Sequence, residues 1–177
     1  MTDAFTNTLL RSAQGEARLQ DSPKKSPWDR FLNTLDANPK MTDRDAMDLF
    51  AKILSSATSD WKDSNDNTLL MHMASRGRTA IAKRLIHELY ANVNATNKEG
   101  ASALHMAARA GFMDICAELM NSNADPCKKD KNGTTPAMMA KDNGHTDIAE
   151  FLGRKETAKR IWMEGHFKSD YLHKALR

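Results

Sequence analysis

Residues 97–126 read NKEGASALHMAARAGFMDICAELMNSNADP, and a related stretch at residues 130–152 reads DKNGTTPAMMAKDNGHTDIAEFL. A shift of 33 residues superimposes a turn glycine, a Ser or Thr, a second glycine and an Ile-x-x-x-Leu pattern. A shift of 34 residues brings in a third, weaker unit over residues 63–96. Self-similarity at this period predicts a repeat architecture.

Each unit predicts two short helices joined by a tight turn. A polar turn at 98–100 leads into Ser102, whose hydroxyl group can accept a hydrogen bond from a free N–H of the first helical turn. Gly111 ends this helix because glycine adopts positive φ without steric cost. Ile115 and Leu119 then give a second helix one apolar face. Helices of roughly 11 residues or fewer are marginal alone, so we expect stability to come from stacking each pair on its neighbours.

These residues resemble the ankyrin repeat, whose pattern is a glycine turn, Thr-Pro-Leu-His, paired alanines, a Gly-His turn, an Ile/Leu helix and a closing Gly-Ala-Asp-x-Asn. The resemblance covers about half of the chain and implies an all-α solenoid of helix-turn-helix units with N- and C-terminal capping helices. The positions that carry it are Gly100, Ser102, Leu104, His105, Ala107, Ala108, Gly111, Ile115 and Leu119 in the second unit, Gly133, Thr135, Pro136, Ala140, Gly144, His145, Ile148 and Leu152 in the third, and Thr68, Leu70, Ala74, Gly77, Ile81 and Leu85 in the first.

The sequence departs from the family pattern at several turns. Met71 and Met138 replace the family's His, whose side chain ties neighbouring turns together by hydrogen bonds. The resemblance therefore implies that only His105, together with Ser102, can form this link. Asp66 takes the place of a turn glycine, and Asn123 that of the closing glycine, where Asn tolerates a left-handed backbone. We expect an array that is less regular and less stable than a consensus one.

The repeat boundaries predict a division of the whole chain. Pro27 can occupy a first helical turn and Thr42 can cap a second helix, so a divergent repeat precedes the array. Gly165 is expected to interrupt the last helical stretch. The predicted segments are 1–26, flexible or a short helix; 27–62, a helical N-terminal cap; 63–96, 97–129 and 130–153, the three repeats; and 154–177, a basic helical C-terminal cap.

Composition limits the class of protein. With 40% hydrophobic and 28% charged residues, the chain resembles neither a disordered polyelectrolyte nor a membrane-spanning protein. The first ten residues lack a basic start followed by an apolar run, so we expect a cytoplasmic protein, or one secreted into a host cytosol without an N-terminal signal. Two cysteines, Cys116 and Cys127, offer neither a disulfide framework nor a zinc site. We expect a monomer when the protein is free.

The net charge of +3, from 26 basic and 23 acidic side chains, is concentrated at one end. Residues 154–177 hold seven basic and three acidic side chains. Lys155, Lys159 and Arg160 could contact the phosphates of nucleic acid or an anionic membrane surface. The plainer alternative is a solvated capping helix, in which positive charge near the C-terminus is favoured by the helix dipole.

Catalytic patterns are not found. The sequence has no phosphate-binding glycine loop and no nucleophile elbow, and His87-Glu88 lacks the second His of a zinc-protease motif. Cys116 falls on an apolar helix face and is expected to be an inert core thiol. We therefore expect no enzymatic activity, no cofactor and no metal.

Methionine is abundant on the predicted first helices, at Met71, Met73, Met106, Met138 and Met139. These side chains either fill core gaps left by the missing His and Ala or form an adaptable apolar surface for a partner helix. Core filling is the favoured interpretation, with Met106 and Met139 expected to reach the surface.

The resemblance implies a non-enzymatic protein–protein interaction module that uses its turn tips and the exposed face of its first helices. Alternatives are an inhibitor or immunity-type partner of an enzyme and a bacterial effector acting in a host cell. Arg76 and Arg109 are the expected anchors, since they lie one residue apart in repeat register and Arg is enriched at hot spots. The implied contact residues are Ser64, Asn65, Asn67, Ser75 and Arg76 in the first repeat, Thr96, Lys98, Glu99, Ala101, Arg109 and Ala110 in the second, and Lys129, Lys131, Asn132, Thr134, Asp142 and Asn143 in the third.

Overall fold

The computed structural model describes residues 26–38, 40–54 and 61–175, so the segment predicted at 1–26 lies outside the described residues except for Ser26. In this part of the chain the regular elements are helices, and one antiparallel bridge joins Lys62 to Thr68. The predicted all-α class is confirmed. The helices are α1 (Pro27–Ala37), α2 (Asp43–Leu54), α3 (Leu69–Ser75), α4 (Thr79–His87), α5 (Ala103–Ala110), α6 (Met113–Asn121), α7 (Pro136–Asp142) and α8 (Thr146–Ala175).

The chain divides after residue 57 into two compact units, with α1 and α2 in the first and α3 to α8 in the second. Side-chain caps begin both helices of the first unit. The Ser26 hydroxyl accepts the Asp29 N–H at 3.2 Å, and the Asp29 carboxylate accepts the Ser26 N–H at 2.7 Å. Pro27 occupies the first position of α1, and the Thr42 hydroxyl accepts the Asp45 N–H at 3.2 Å. The predicted roles of Pro27 and Thr42 are confirmed.

Three aromatic rings form the core of the first unit. Trp28 and Phe31 lie on α1, and both contact Phe50 of α2 with ring centroids 5.5 and 5.9 Å apart. All three side chains are fully buried. Aromatic residues each bury a large apolar area, so this cluster supplies much of the stabilisation of the helix pair.

The second unit stacks short helices in repeat order. The first helices α3, α5 and α7 pack side by side, α4 packs against α6, and α7 packs against α8. Helices α3 to α7 are only seven to nine residues long. The residues that recur at the repeat period form the buried core, namely Leu70, Leu104, Ile81, Ile115, Ile148, Leu85, Leu119 and Leu152.

Helix α8 is the exception to this pattern, since it runs for 30 residues from Thr146 to Ala175. The predicted interruption at Gly165 is wrong, and α8 also crosses the 153/154 boundary expected between the third repeat and the C-terminal cap. A glycine ends a helix where its φ turns positive, but both Gly153 and Gly165 continue the helix. Each costs the helix only about 1 kcal/mol relative to alanine.

Positive φ marks the turn positions even where glycine is missing. Asp66 has φ 62° and Asn123 has φ 63°, which confirms their predicted substitution for glycine. Tyr90, the equivalent of Asn123 one repeat earlier, has φ 52° although its side chain is an aromatic ring. A bulky residue in this region is a conformational outlier, and the Tyr90 side chain is 86% exposed.

His105 links the second and third repeats. Its Nδ1 accepts the Ser102 N–H at 3.1 Å, so the ring proton is on Nε2, which donates to the Thr134 carbonyl oxygen at 3.1 Å. The link predicted for His105 is confirmed. Burial lowers the pKa of His105, although the Thr134 carbonyl and Asp130 oppose this effect. The neutral tautomer is the one that both hydrogen bonds require.

A second link depends on the absence of a side chain. The His145 ring lies against Gly111, where an added Cβ would be 2.5 Å from Cε1, and His145 Nε2 donates to the Arg109 carbonyl oxygen at 3.2 Å. Phe112 covers Gly77 in the same way, at 2.5 Å from the equivalent Cβ position. Gly77 and Gly111 therefore each make room for a ring from the following repeat.

Replacing Gly111 by Ala should destabilise the protein more than replacing Gly144 by Ala. The two glycines have φ of +83° and +81°, so each variant carries a left-handed alanine that costs roughly 1–2 kcal/mol. Nothing lies within 4 Å of a Cβ at Gly144, whereas the Gly111→Ala methyl group must displace His145, at an additional cost of about 1–3 kcal/mol. Urea unfolding followed by circular dichroism measures both losses, and equal losses would contradict the close approach.

The free energy of unfolding should fall as the pH decreases from about 7 to 5.5. The unfolded chain protonates His105 near its ordinary pKa of about 6.5, whereas the folded protein resists this proton because its His105 pKa is lowered. Stability that is present above the ordinary pKa is therefore lost below it. His105→Gln removes the titrating group, so its stability should vary less with pH in denaturant titrations. An unchanged pH dependence in the variant would exclude His105 as the source.

Candidate interaction surface

The turn tips are joined to one another by backbone hydrogen bonds. The Lys98 N–H donates to the Asn65 carbonyl oxygen and the Lys131 N–H donates to the Glu99 carbonyl oxygen, both at 2.9 Å. Each tip thus holds the next one at the same relative position. Side chains at the tips therefore project from a backbone that is fixed by its neighbours.

Each tip is also closed by the side chain at its start. The Oδ1 atoms of Asp63, Asn97 and Asp130 each accept backbone N–H groups two and four residues later, at 2.8 to 3.0 Å. Burial raises the pKa of Asp63, but hydrogen bonds from Asn67, Asn65 and His72 outweigh it and the pKa is lowered. Asp63 therefore acts as a carboxylate acceptor at neutral pH.

An amide pair adds a side-chain link between the first two tips. Asn97 Nδ2 donates to Asn67 Oδ1 at 2.8 Å, and Asn67 Nδ2 donates to Asp63 Oδ2 at 2.9 Å. The half-buried Asn67, predicted as a contact residue, is therefore committed to the scaffold. Thr134 is similar, because its carbonyl oxygen accepts the hydrogen bond from His105.

The structure leaves most of the predicted contact residues accessible. Ala101 does not fit, since it is buried at 5% exposure beneath its tip, and its inclusion is wrong. Asn67, Ser75, Arg76, Thr96, Ala110 and Thr134 are half-buried. The exposed ones, which we call the tip surface, are Ser64, Asn65, Lys98, Glu99, Arg109, Lys129, Lys131, Asn132, Asp142 and Asn143.

The two expected anchors differ in their surroundings. Arg76 is half-buried, and its guanidinium group is 3.1 Å from His72 Nδ1. Since guanidinium can only donate, Nδ1 accepts and His72 Nε2 donates to Asp63 Oδ2 at 3.0 Å. Arg109 is exposed, and its guanidinium group lies 3.3 Å from Met106 Sδ. Arg109 is therefore the more accessible of the two, while Arg76 is held by a side-chain network.

The burial of each methionine depends on its position in the stack of repeats. Met71 and Met73 are fully buried, as the core interpretation predicts, and Met106 and Met139 are half-buried. Met106 and Met139 thus reach the surface in part, but Met138 is 52% exposed, so the expectation that these two would be the most exposed is wrong. The equivalent position one repeat earlier is covered by the following tip, whereas no further repeat follows Met138 among the described residues.

We also searched the described residues for metal sites, reactive thiols and membrane-spanning helices. They contain no group of three or more His, Cys, Asp or Glu side chains that could hold a metal ion. Burial raises the pKa of the Cys116 thiol to about 12, which makes it unreactive. Burial, Asp125 and Glu156 also raise the pKa of Cys127. No helix in this part of the chain is long and apolar enough to span a bilayer.

Comparison with known proteins agrees with the repeat geometry. A family model described as ankyrin repeats (3 copies) matches residues 42–130 and 70–163, which together span well over half of the chain. The chain belongs to the ankyrin-repeat family. This ankyrin array is accordingly a protein–protein interaction module of a family that is generally non-enzymatic.

Several proteins contain segments that are similar to this ankyrin array. Rat diacylglycerol kinase zeta is 29% identical over 58% of the chain, and the mouse protein fem-1 homolog A-like is 36% identical over 49%. Human ankyrin repeat domain-containing protein 63 is 30% identical over 52%. The chain spans only 11%, 13% and 28% of the lengths of these three relatives.

Replacing Asn97 by Ala should loosen the second tip of the ankyrin array. The change removes the acceptor of the Glu99 and Ala101 N–H groups and the donor to Asn67, so we expect a loss of about 1–3 kcal/mol in unfolding free energy. Asn132→Ala, at the exposed third tip, is the matched control and should change stability by less than about 0.5 kcal/mol. Thermal and urea unfolding compare the two, and similar losses would contradict the closing role of Asn97.

Proposed function

We propose that this chain is a non-enzymatic protein-binding module whose contact surface is the tip surface together with the outer side of α3, α5 and α7. The observation that carries the proposal is the bonding between successive tips, which holds exposed polar side chains at fixed spacing. A partner that binds such a surface orders little backbone on this side of the interface. Pre-organisation of this kind lowers the entropic cost of association.

The charge of the tip surface supports a partner that presents carboxylates. Lys98, Lys129 and Lys131 are exposed around the second and third tips, and the exposed acidic members of the tip surface are Glu99 and Asp142. Arg109 is exposed on α5. Complementary charge steers encounter and excludes wrong partners more than it adds affinity. We therefore place the centre of the contact at the second and third repeats.

Two finer roles are compatible with this surface. The partner could be an enzyme that the protein inhibits, or a host protein engaged by a bacterial effector. Both would use the same tip surface, so the identity of the bound protein distinguishes them.

Charge reversal on the tip surface should weaken partner binding. The full chain is immobilised to capture proteins from a cell extract, one captured protein is identified and purified, and its dissociation constant is measured by calorimetry. Arg109→Glu with Lys131→Glu should weaken binding at least about tenfold, as expected for central hot-spot residues. Arg30→Glu with Lys40→Glu makes the same charge change at exposed sites of the first unit and should alter affinity less than about threefold.

The comparison between the two double variants decides the location of the contact. Circular dichroism and melting temperatures establish that both variants are folded. If binding survives reversal of Arg109 and Lys131 while the control weakens it, the tip surface is not the contact. Equal weakening by both variants would indicate nonspecific charge attraction and would also contradict the proposal.

A further inference from the structure

The loops that follow the second helices of the first two repeats differ in length. We call them the closing loops, at residues 88–94 in the first repeat and 122–127 in the second. The Ala91 N–H donates to the Leu85 carbonyl oxygen, six positions earlier, at 2.9 Å. In the second repeat the Ala124 N–H donates to the Leu119 carbonyl oxygen, five positions earlier, at the same distance. The first closing loop therefore contains one additional residue, which explains why its repeat is offset by 34 rather than 33 residues.

Tyr90 lies in the first closing loop at a position that requires positive φ. Its φ is 52°, and Asn123, at the equivalent position of the second closing loop, has φ 63°. Glycine adopts this backbone conformation without steric cost and Asn tolerates it, whereas a bulky side chain there is strained. An Asn at residue 90 would therefore suit the loop better than tyrosine does.

Packing does not compensate for this strain. The Tyr90 side chain is 86% exposed, more than any other large hydrophobic side chain among the described residues. A ring that buries so little area gains little from the hydrophobic effect. Folding of the array thus gives no reason for a tyrosine at this position. Strained residues of this kind are concentrated at functional sites, so the strain and the exposure together indicate a contact with another molecule.

The first closing loop is held in place by the second. Asn94 Nδ2 donates to the Asn123 carbonyl oxygen at 3.0 Å, and Asn94 Oδ1 accepts the Asp125 N–H at 2.8 Å. Asn92 Oδ1 accepts the Asn94 N–H at 2.9 Å. The loop that carries Tyr90 is therefore bonded on its C-terminal side, which lowers the entropic cost of presenting the ring to a partner.

The second closing loop is in turn fixed by α8. Asp125 pairs with Lys159 at 2.7 Å, and its carboxylate also accepts the Cys127 N–H at 2.9 Å. Lys159, predicted as a contact with an anionic surface, is therefore engaged within the array. Lys155 and Arg160, predicted with it, are exposed.

The charged side chains of the last turns of α4 are paired. Arg84 Nε donates to the Glu88 carboxylate at 2.7 Å. Glu118 of α6 accepts hydrogen bonds from His87 Nε2 at 2.7 Å and from Lys83 Nζ at 3.3 Å. The two cationic side chains, Lys83 and Arg84, are thus balanced by two carboxylates. The region that leads into the first closing loop therefore offers little net charge to steer a charged partner.

We propose that Tyr90 anchors a second protein-binding site, in which its ring enters an uncharged, apolar pocket of a folded partner protein. The ring projects from the surface, so the complementary shape on the partner is a pocket. Tyr is enriched among the hot spots of protein interfaces and loses little rotamer entropy when it is buried there. The balanced charges at the end of α4 favour a pocket without charge. The site lies on the closing loops and not on the tip surface, so this inference is independent of the proposed contact at the tips.

Replacing Tyr90 by Asn separates a role in binding from a role in folding. Tyr90→Asn introduces the residue type that the second closing loop has at the equivalent position, so the strain is relieved and the midpoint of urea unfolding should rise. The same variant should lose the partner. A midpoint that does not rise would contradict the strain on which the proposal rests.

Parallel capture from a cell extract identifies the partner. The full chain and its Tyr90→Asn variant are immobilised, and a protein retained only by the unmodified chain is purified. Its dissociation constant, measured by calorimetry, should rise at least about tenfold for Tyr90→Asn and less than about threefold for Tyr90→Phe, which keeps the ring. The affinity should change little between low and high salt, because the contact does not depend on charge. If no captured protein distinguishes the two immobilised chains, the proposal is wrong.

Ile161→Asn is the matched control, because it removes another exposed large apolar side chain, at 63% exposure, from a different element. This variant should leave the affinity unchanged, and equal losses for Ile161→Asn and Tyr90→Asn would indicate nonspecific hydrophobic attraction and overturn the proposal. Arg109→Glu with Lys131→Glu should also leave this affinity unchanged. Weakening by that double variant but not by Tyr90→Asn would place the contact at the tips and overturn the inference.

A second copy of the chain is the remaining occupant of the site. Gel filtration of the unmodified chain should show a species whose size is unaffected by Tyr90→Asn. A dimer that Tyr90→Asn converts into a monomer would assign the ring to a contact between copies, and the proposal of a distinct partner would be wrong.

Discussion

Helices of seven to nine residues gain too little from their own hydrogen bonds to persist in water, and the second unit consists largely of such helices. Their stability depends on contacts with the neighbouring repeat. His105 makes one of these contacts as a buried, neutral donor to the Thr134 carbonyl oxygen. The close approach of His145 to Gly111 makes another. Loss of one contact therefore weakens two repeats at once.

The contacts that stabilise the stack also hold the proposed tip surface in place. The tips satisfy their backbone groups through Asp63, Asn97, Asp130, the Lys98 ammonium group and each other, so this bonding does not depend on the other exposed side chains. This separation lets the surface residues vary while the scaffold is kept. Arg76 shows the reverse case, since its contact with His72 ties it to the scaffold. Accessibility at a turn therefore depends on which bonds the neighbouring residues have already made.

Much of the fold could be predicted because residues at equivalent positions of the repeats adopt the same local backbone conformation. Asp66 and Asn123 were identifiable as left-handed residues by their register with glycine, and His105 by its place beside a capping residue. Tyr90 occupies the same register as Asn123, but an aromatic residue gives no propensity signal for positive φ. The exposure of Met138 was missed because it depends on where the stack ends. Such features arise from distant contacts that a periodic pattern does not contain.

Helix α8 closes the end of the array. Where the repeat period stops, α8 continues, and Lys159 with Asp125 replaces the bonds that a further repeat would make. Ile148 and Leu152 are buried near its start, so the first turns of α8 close the core, whereas Ile161 and Trp162 further along the helix are exposed.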